Sequence, residues 1–77
     1  MFNVLHYMPD NNQEMAENRI KAVLADKNKT CRWLASQLGK NENTVSRWCT
    51  NKYQPSMQQL YAIAAILEVD VISLLKQ

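Results

Sequence analysis

The chain has 77 residues, 47% of them hydrophobic, with one glycine and two prolines, which favours a single compact helical domain over a β-sandwich or a disordered segment. With one histidine, no glycine-rich phosphate loop and scattered acidic residues, we expect neither an enzyme nor a site for a metal or other cofactor. No apolar run is long enough to cross a bilayer, so we expect a cytoplasmic protein with no membrane contact and no room for a small-molecule effector domain.

The net charge of +2 is distributed unevenly along the chain. Residues 1–18 carry three acidic side chains and no Lys or Arg, whereas residues 19–53 carry eight of the nine basic residues against Asp26 and Glu42. This asymmetry is expected of a domain that offers one face to a polyanion. A surface that is merely solvated would look similar, and charge alone does not decide between the two.

Residues 1–13 are predicted to form an N-terminal arm of uncertain structure, because their apolar positions fit neither the helical nor the strand period. A domain is predicted over residues 14–77. Its first helix is expected from Glu14 to about Lys27, where apolar residues recur at helical spacing. Those residues are Ala16, Ile20, Val23 and Leu24.

The second helix is predicted over Cys31–Leu38. Thr30 precedes it as an N-cap, and Gly39 follows as the residue that adopts a positive φ and ends the helix. Its inward side chains are predicted to be Leu34, Ala35 and Leu38.

The third helix is predicted from Glu42 to about Thr50. Asn41 is placed as its N-cap, Glu42 complements the positive end of the helix dipole, and Asn51 is a plausible left-handed stop. Its inward stripe is predicted to be Val45, Trp48 and Cys49.

Two further helices complete the prediction. Ser56 and Gln59 form the pattern of a capping box at the start of a fourth helix that continues through Leu67. Asp70 is placed as the cap of a fifth, Val71–Lys76. The predicted fold class is therefore all-α, a compact bundle of five short helices.

The spacing of small residues in the second and third helices indicates a helix-turn-helix. Ala35 allows a close helix crossing, Gly39 follows four residues later at the turn, and Val45 comes six after that. Leu34, Leu38 and Trp48 fill the other inward positions. A second helix that follows a tight glycine-containing turn at a steep angle is the unit that enters the DNA major groove.

The run TCRWLASQLGKNENTVSRWCTNKYQPS resembles the central motif of the Cro/CI-type (XRE family) helix-turn-helix transcriptional regulators. Leu34-Ala35 and Leu38-Gly39 match the LA and LG pairs of that motif, and the similarity extends from about Arg19 to Leu75. The resemblance implies a lambda-repressor-like domain that binds double-stranded DNA in a bacterial or phage nucleoid.

Three positions depart from the family's pattern. Cys31 stands where the family commonly has Gln, and Cys49 stands where it often has an acidic residue. Asn51 replaces the usual Gly, which is tolerable because Asn enters the left-handed region more readily than other residues with a side chain. Cys49 is expected to pack against Leu24. The two cysteines match no redox or zinc motif and are expected to be reduced, partly buried thiols.

The outward face of the third helix is the candidate for reading bases. Arg47 is suited to guanine O6 and N7, Asn43 to adenine N6 and N7, and Thr44 to a thymine methyl group or a phosphate. Glu42 is suited to cytosine but is more often a helix-start residue, which we favour. The predicted base-reading residues are Asn43, Thr44, Ser46 and Arg47.

Residues that flank the groove are predicted to contact phosphates, chiefly from the resemblance. They are Thr30, Cys31, Asn41, Thr50, Asn51, Lys52 and Tyr53. The predicted function is a sequence-specific transcriptional regulator, a repressor, acting as a homodimer on a pseudo-palindromic operator. Either residues 71–75 or residues 2–8 would supply the dimer contact. An antitoxin-like or anti-regulator helical module that binds a protein stays open as the alternative.

Overall fold

The computed structural model describes residues 17–75, and over that range the chain is all-helical, as predicted. The arm predicted over residues 1–13 and the helix start predicted at Glu14 lie outside the described residues, so the division into an arm and a domain stays a prediction. In chain order the elements are α1 (Ile20–Asp26), α2 (Cys31–Leu38), α3 (Glu42–Cys49), α4 (Met57–Leu67) and a 3-10 helix, Val71–Leu74.

The first helix begins later than the apolar pattern predicted. Residues 17–19 are not helical, so the prediction was wrong for them. The Oδ1 atom of Asn18 accepts the backbone N–H of Ile20 at 2.9 Å, and Asn18 forms an isolated antiparallel bridge with Leu75. A side chain that bonds its own backbone two residues on competes with helix formation. The extended segment therefore ends at Asn18, and α1 starts after it.

The second helix has the bounds and both end signals that the sequence predicts. The hydroxyl oxygen of Thr30 accepts the backbone N–H of Trp33 at 3.0 Å, which satisfies a donor that has no partner inside the helix. Gly39 ends the helix with a φ of 67°. In this left-handed region a Cβ is unfavourable, which explains why glycine suits the position.

The third helix starts as predicted and stops one residue early. Asn41 caps it, its Oδ1 atom accepting the backbone N–H of Asn43 at 2.7 Å. Helical structure ends at Cys49, and Thr50 is the C-cap rather than the last helical residue. Asn51 takes a φ of 62°, the left-handed conformation predicted for it.

The fourth helix is confirmed, whereas the fifth is shorter than predicted and of a different type. Ser56 and Gln59 form both bonds of the capping box, at 3.1 and 2.8 Å. Asp70 precedes the 3-10 helix but makes no side-chain capping bond, which corrects its predicted role. The carbonyl of Leu74 accepts the backbone N–H of Arg19 at 2.8 Å. Leu75 is extended, with a φ of −102° and a ψ of 145°, so the helix ends at Leu74, and Lys76 lies outside the described residues.

One hydrophobic core joins all five helices. Predicted inward positions in α2 and α3 belong to it, except that Leu38 is half-buried and packs against it. Fully burying an aliphatic side chain contributes about 1.5–3 kcal/mol, so these few contacts dominate the stability of so small a domain. The buried hydrophobic residues of this core are Ile20, Val23, Leu24, Leu34, Ala35, Val45, Trp48, Cys49, Leu60, Ile63, Ala64, Leu67 and Leu74.

A polar cluster fixes the segment before α1 to the loop after α3. We call Asn18, Asn51 and Gln54 the Asn18 cluster. The Nδ2 group of Asn18 donates to the carbonyl of Trp48 at 2.9 Å and to Gln54 Oε1 at 2.8 Å. The backbone N–H of Asn18 donates to Asn51 Oδ1 at 2.8 Å, and Gln54 Nε2 donates to the same oxygen at 3.0 Å. The end of the third helix is therefore held by residues far away in sequence.

We expect Asn18→Ala to lower the free energy of unfolding by about 2 kcal/mol, because it leaves several partly buried polar groups without their partner. Urea unfolding measures the change. Gln58→Ala is the matched control, since it removes an amide from an exposed position on α4 and should shift stability by less than about 0.5 kcal/mol. Equal losses in both variants would contradict the role assigned to Asn18.

Candidate nucleic-acid interface

The second and third helices meet through small and fully buried side chains. Leu34 and Val45 are 0% exposed and Ala35 is 3% exposed, and all three belong to the one hydrophobic core that the two helices share. The backbone N–H of Lys40 donates to the carbonyl of Ala35 at 2.9 Å, which closes the turn that Gly39 begins. A helix, a tight glycine-containing turn and a second helix are thus present where the spacing predicted them.

The third helix turns polar side chains away from the core. Val45, Trp48 and Cys49 are buried on one side, while the opposite side consists of exposed polar residues. Of the predicted base-reading residues, Asn43, Ser46 and Arg47 are exposed, and Thr44 is half-buried. The four residues lie on two consecutive turns of α3, so a groove that received this helix would meet them together.

Arg47 is positioned by the loop that follows its own helix. Its guanidinium carbon lies 5.5 Å from the ring centroid of Tyr53, the range of a cation–π contact. The carbonyl of Arg47 accepts the backbone N–H groups of Lys52 and Tyr53, at 2.9 and 3.3 Å. The loop therefore folds back on the end of α3, and the Tyr53 ring, itself 60% exposed, restricts where the arginine can point.

A groove runs beside this arginine, between α3 and the start of α4. Six residues line it. Gln59 is part of the capping box of α4, and its Oε1 atom accepts the backbone N–H of Ser56. The sequence predicted Thr44 and Arg47 on the outward face of the third helix and Tyr53 beside the groove, but it did not predict that the first turn of α4 reaches the same surface. The lining residues are Thr44, Arg47, Trp48, Tyr53, Gln54 and Gln59.

The predicted phosphate-contacting residues differ in how much hydrogen-bonding capacity they have left. Thr30 and Asn41 use an oxygen as an acceptor for a helix cap, which leaves the Thr30 hydroxyl proton and the Asn41 amide protons to donate. Thr50 donates its hydroxyl to the carbonyl of Ser46 at 3.0 Å. Asn51 has its amide directed into the Asn18 cluster rather than outward. Lys52 is exposed beside them.

The two cysteines are free thiols, as predicted, and they touch each other. Cys31 is the first residue of α2, and its Sγ lies 2.8 Å from Sγ of Cys49, the last residue of α3. Cys49 belongs to the same buried cluster as Leu24. Burial, followed by the bond to Cys31, raises the pKa of the Cys49 thiol to about 12. The side chain of Cys31 is therefore directed toward the core boundary, a placement that its sequence position did not predict.

The basic residues of the middle segment are all on the surface. Arg32 pairs with Glu42 at 3.5 Å, but both side chains are largely exposed, so the pair adds little stability. Glu42 lies in the first turn of α3, where its charge suits the helix dipole, in keeping with the helix-start role that we favoured. The exposed basic residues are Arg19, Lys21, Lys27, Lys29, Arg32, Lys40, Arg47 and Lys52.

Two residues that matter for the shape of this surface were missed by sequence reasoning. Asn18 and Gln54 hold the end of α3 and its following loop through the Asn18 cluster. Neither lies in a helix, and neither belongs to a periodic pattern. The only local sign of the cluster was Asn51 at a left-handed position, which says nothing about its partners.

The family model of the Cro/C1-type HTH DNA-binding domain matches residues 19–76. The chain belongs to this family. A crystal structure of a protein from Bacteroides fragilis, described as a candidate DNA-binding protein, is similar to it: the two are 57% identical with a TM-score of 0.77, over 78% of this chain and 97% of that chain. No curated protein matches the chain.

Membership in the Cro/C1-type family makes DNA the partner of the domain and confirms the resemblance found in the sequence. The family is one of DNA-binding domains rather than of catalysts. Within residues 17–75, no group of three or more His, Cys, Asp or Glu side chains is placed to hold a metal ion. None of the helices in that part of the chain has both the length and the apolar character to span a bilayer.

Proposed function

We propose that this Cro/C1-type domain is a sequence-specific transcriptional regulator that reads the major groove of double-stranded DNA with α3. The observation that carries the proposal is the outward face of that helix, where Asn43, Ser46 and Arg47 are exposed beside buried Val45 and Trp48. We further propose that it acts as a repressor, because a domain seated on a duplex site blocks other proteins from that site.

Within this proposal the four predicted base-reading residues keep distinct roles. Arg47 forks to guanine O6 and N7, and Asn43 pairs with adenine N6 and N7. Ser46 lies one position before Arg47, and because its hydroxyl can donate or accept, it suits either a donor or an acceptor on a base edge. Thr44 is half-buried at the edge of this face and suits a thymine methyl group.

The phosphate contacts are proposed at the two ends of the helix-turn-helix. Thr30, Asn41, Lys52 and Tyr53 are exposed, and the side chain of each carries a hydrogen-bond donor. Cys31 contributes through its backbone N–H in the first turn of α2, since its thiol faces Cys49. To contact a phosphate, the Thr50 hydroxyl has to rotate away from the carbonyl of Ser46. Asn51 contributes indirectly, by holding the Lys52-Tyr53 loop in its conformation.

A homodimer on a pseudo-palindromic operator follows from the small size of a single reader, because one helix contacts only a few base pairs. Selection of bound duplexes from a random pool tests the proposal directly. We expect paired, inverted half-sites whose centres lie about 10 to 10.5 base pairs, or about 34 to 36 Å, apart. If the selected duplexes share no common sequence, the proposal of sequence-specific reading is wrong. If they contain single half-sites rather than inverted pairs, the proposed homodimer is wrong.

We expect Arg47→Ala to weaken binding to the selected site by about 1 to 3 kcal/mol and to relax specificity at one base pair. Arg47→Lys is the matched variant: it keeps the charge but loses the planar fork, so it should lose discrimination while keeping its affinity for random duplex. Fluorescence anisotropy on both duplexes measures the effect. An equal loss on selected and random DNA would exclude Arg47 as a base reader.

We expect Lys52→Ala to weaken selected and random duplexes alike, because a phosphate contact carries no sequence information. The slope of log K against log salt should become shallower by about 0.9, the value of one neutralised phosphate. Salt titrations of both proteins measure it. Unchanged binding to random DNA would remove Lys52 from the phosphate set, and a salt-independent wild-type interaction would favour the protein-binding module instead.

A further inference from the structure

The contact between Cys31 and Cys49 is closer than ordinary packing requires. Their Sγ atoms lie 2.8 Å apart, which is inside the van der Waals separation of two sulfur atoms. A disulfide bond is about 2.05 Å long, so closing the gap takes a movement of less than about 1 Å.

The two sulfurs occupy opposite ends of the helix-turn-helix. Cys31 is the first residue of α2 and Cys49 the last residue of α3, so a bond between them would close a ring that contains both helices and the turn. Their environments differ as well: Cys31 is partly exposed, whereas Cys49 is 5% exposed. An oxidant from solvent therefore meets Cys31 first.

Other uses of a thiol pair find less support in the described residues. Metal binding would need further ligands, and residues 17–75 hold no group of three or more potential ligands. Cys49 is kept protonated by burial, which raises its pKa to about 12, while Lys21 favours the thiolate in part. A protonated, buried thiol is a poor first nucleophile, so the first reaction with an oxidant is assigned to Cys31. The 2.8 Å separation of the two sulfurs places Cys49 to react with Cys31 once that sulfur is oxidised.

We propose that Cys31 and Cys49 form an intramolecular disulfide when the folded domain meets hydrogen peroxide. The Cys31 sulfur attacks one peroxide oxygen, the O–O bond breaks, and one water leaves with Cys31 as a sulfenic acid. The Cys49 sulfur then attacks Sγ of Cys31, the S–O bond breaks, and the hydroxide leaves with the Cys49 proton as a second water. Two thiols and one peroxide thus give one disulfide and two waters.

The disulfide staples the start of α2 to the end of α3. A ring closed between two parts of the chain restricts the unfolded state, so the oxidised domain is more stable than the reduced one. For a ring of this size in a domain this small, the midpoint of thermal unfolding should rise by about 10 °C or more. The inference is independent of DNA binding, and none of its readouts involves DNA.

The test uses the reduced full-length chain, freed of reductant and treated with a small excess of hydrogen peroxide at several protein concentrations. Peptide mapping without reduction should recover one peptide pair joined through Cys31 and Cys49, at a rate that does not depend on protein concentration. The thermal midpoint should rise by about 10 °C and return to its initial value when dithiothreitol is added.

Cys49→Ala and Cys31→Ser are the matched variants, because each keeps all four methionines of the chain and so controls for oxidation at those residues. Neither should gain thermal stability with peroxide, and in Cys49→Ala the sulfenic acid of Cys31 should be trapped by dimedone. If one variant fails to fold, the other still supplies the comparison. Links formed only between chains, or wild-type Cys31 accumulating as sulfinic acid without a cross-link, would overturn the proposal.

Discussion

The close crossing of α2 and α3 is the contact on which the rest of the domain depends. It is made by Leu34, Ala35 and Val45, none of which is more than 3% exposed. Because these positions are fully packed, a side chain larger than alanine at position 35 would force neighbouring core residues to shift. The same crossing fixes the rotation of α3 about its axis, and that rotation decides which residues face outward.

The packing of α3 against the core therefore also determines which of its residues face outward. Burying Val45, Trp48 and Cys49 uses one side of α3, so the base-reading residues that we propose lie on the other side. A single arginine, restrained by the Tyr53 ring, supplies the positive charge of that face.

Local signals explain what the sequence could predict. Thr30, Gly39, Asn41 and the Ser56 capping box act within a few residues of themselves, so their bonds can be deduced from spacing. The Asn18 cluster cannot be deduced in this way, because the bonds of Asn18 join it to residues 30 or more positions away. For the same reason the apolar pattern overextended α1 through residues 17–19, which are held by tertiary bonds to the loop and to the C-terminal segment.

The two cysteines show how a tertiary contact changes the interpretation of a sequence. Compared with the family pattern, Cys31 in place of Gln and Cys49 in place of an acidic residue are two unrelated departures, each of which removes a polar group. In the fold their sulfurs lie 2.8 Å apart, so they are one feature. An acidic side chain at position 49 would need a cation or a donor in this buried site, whereas two thiols satisfy each other and leave no charge in the core. The contact between the two sulfurs thus accounts for a thiol in place of a polar group at both positions, and neither position alone would explain it.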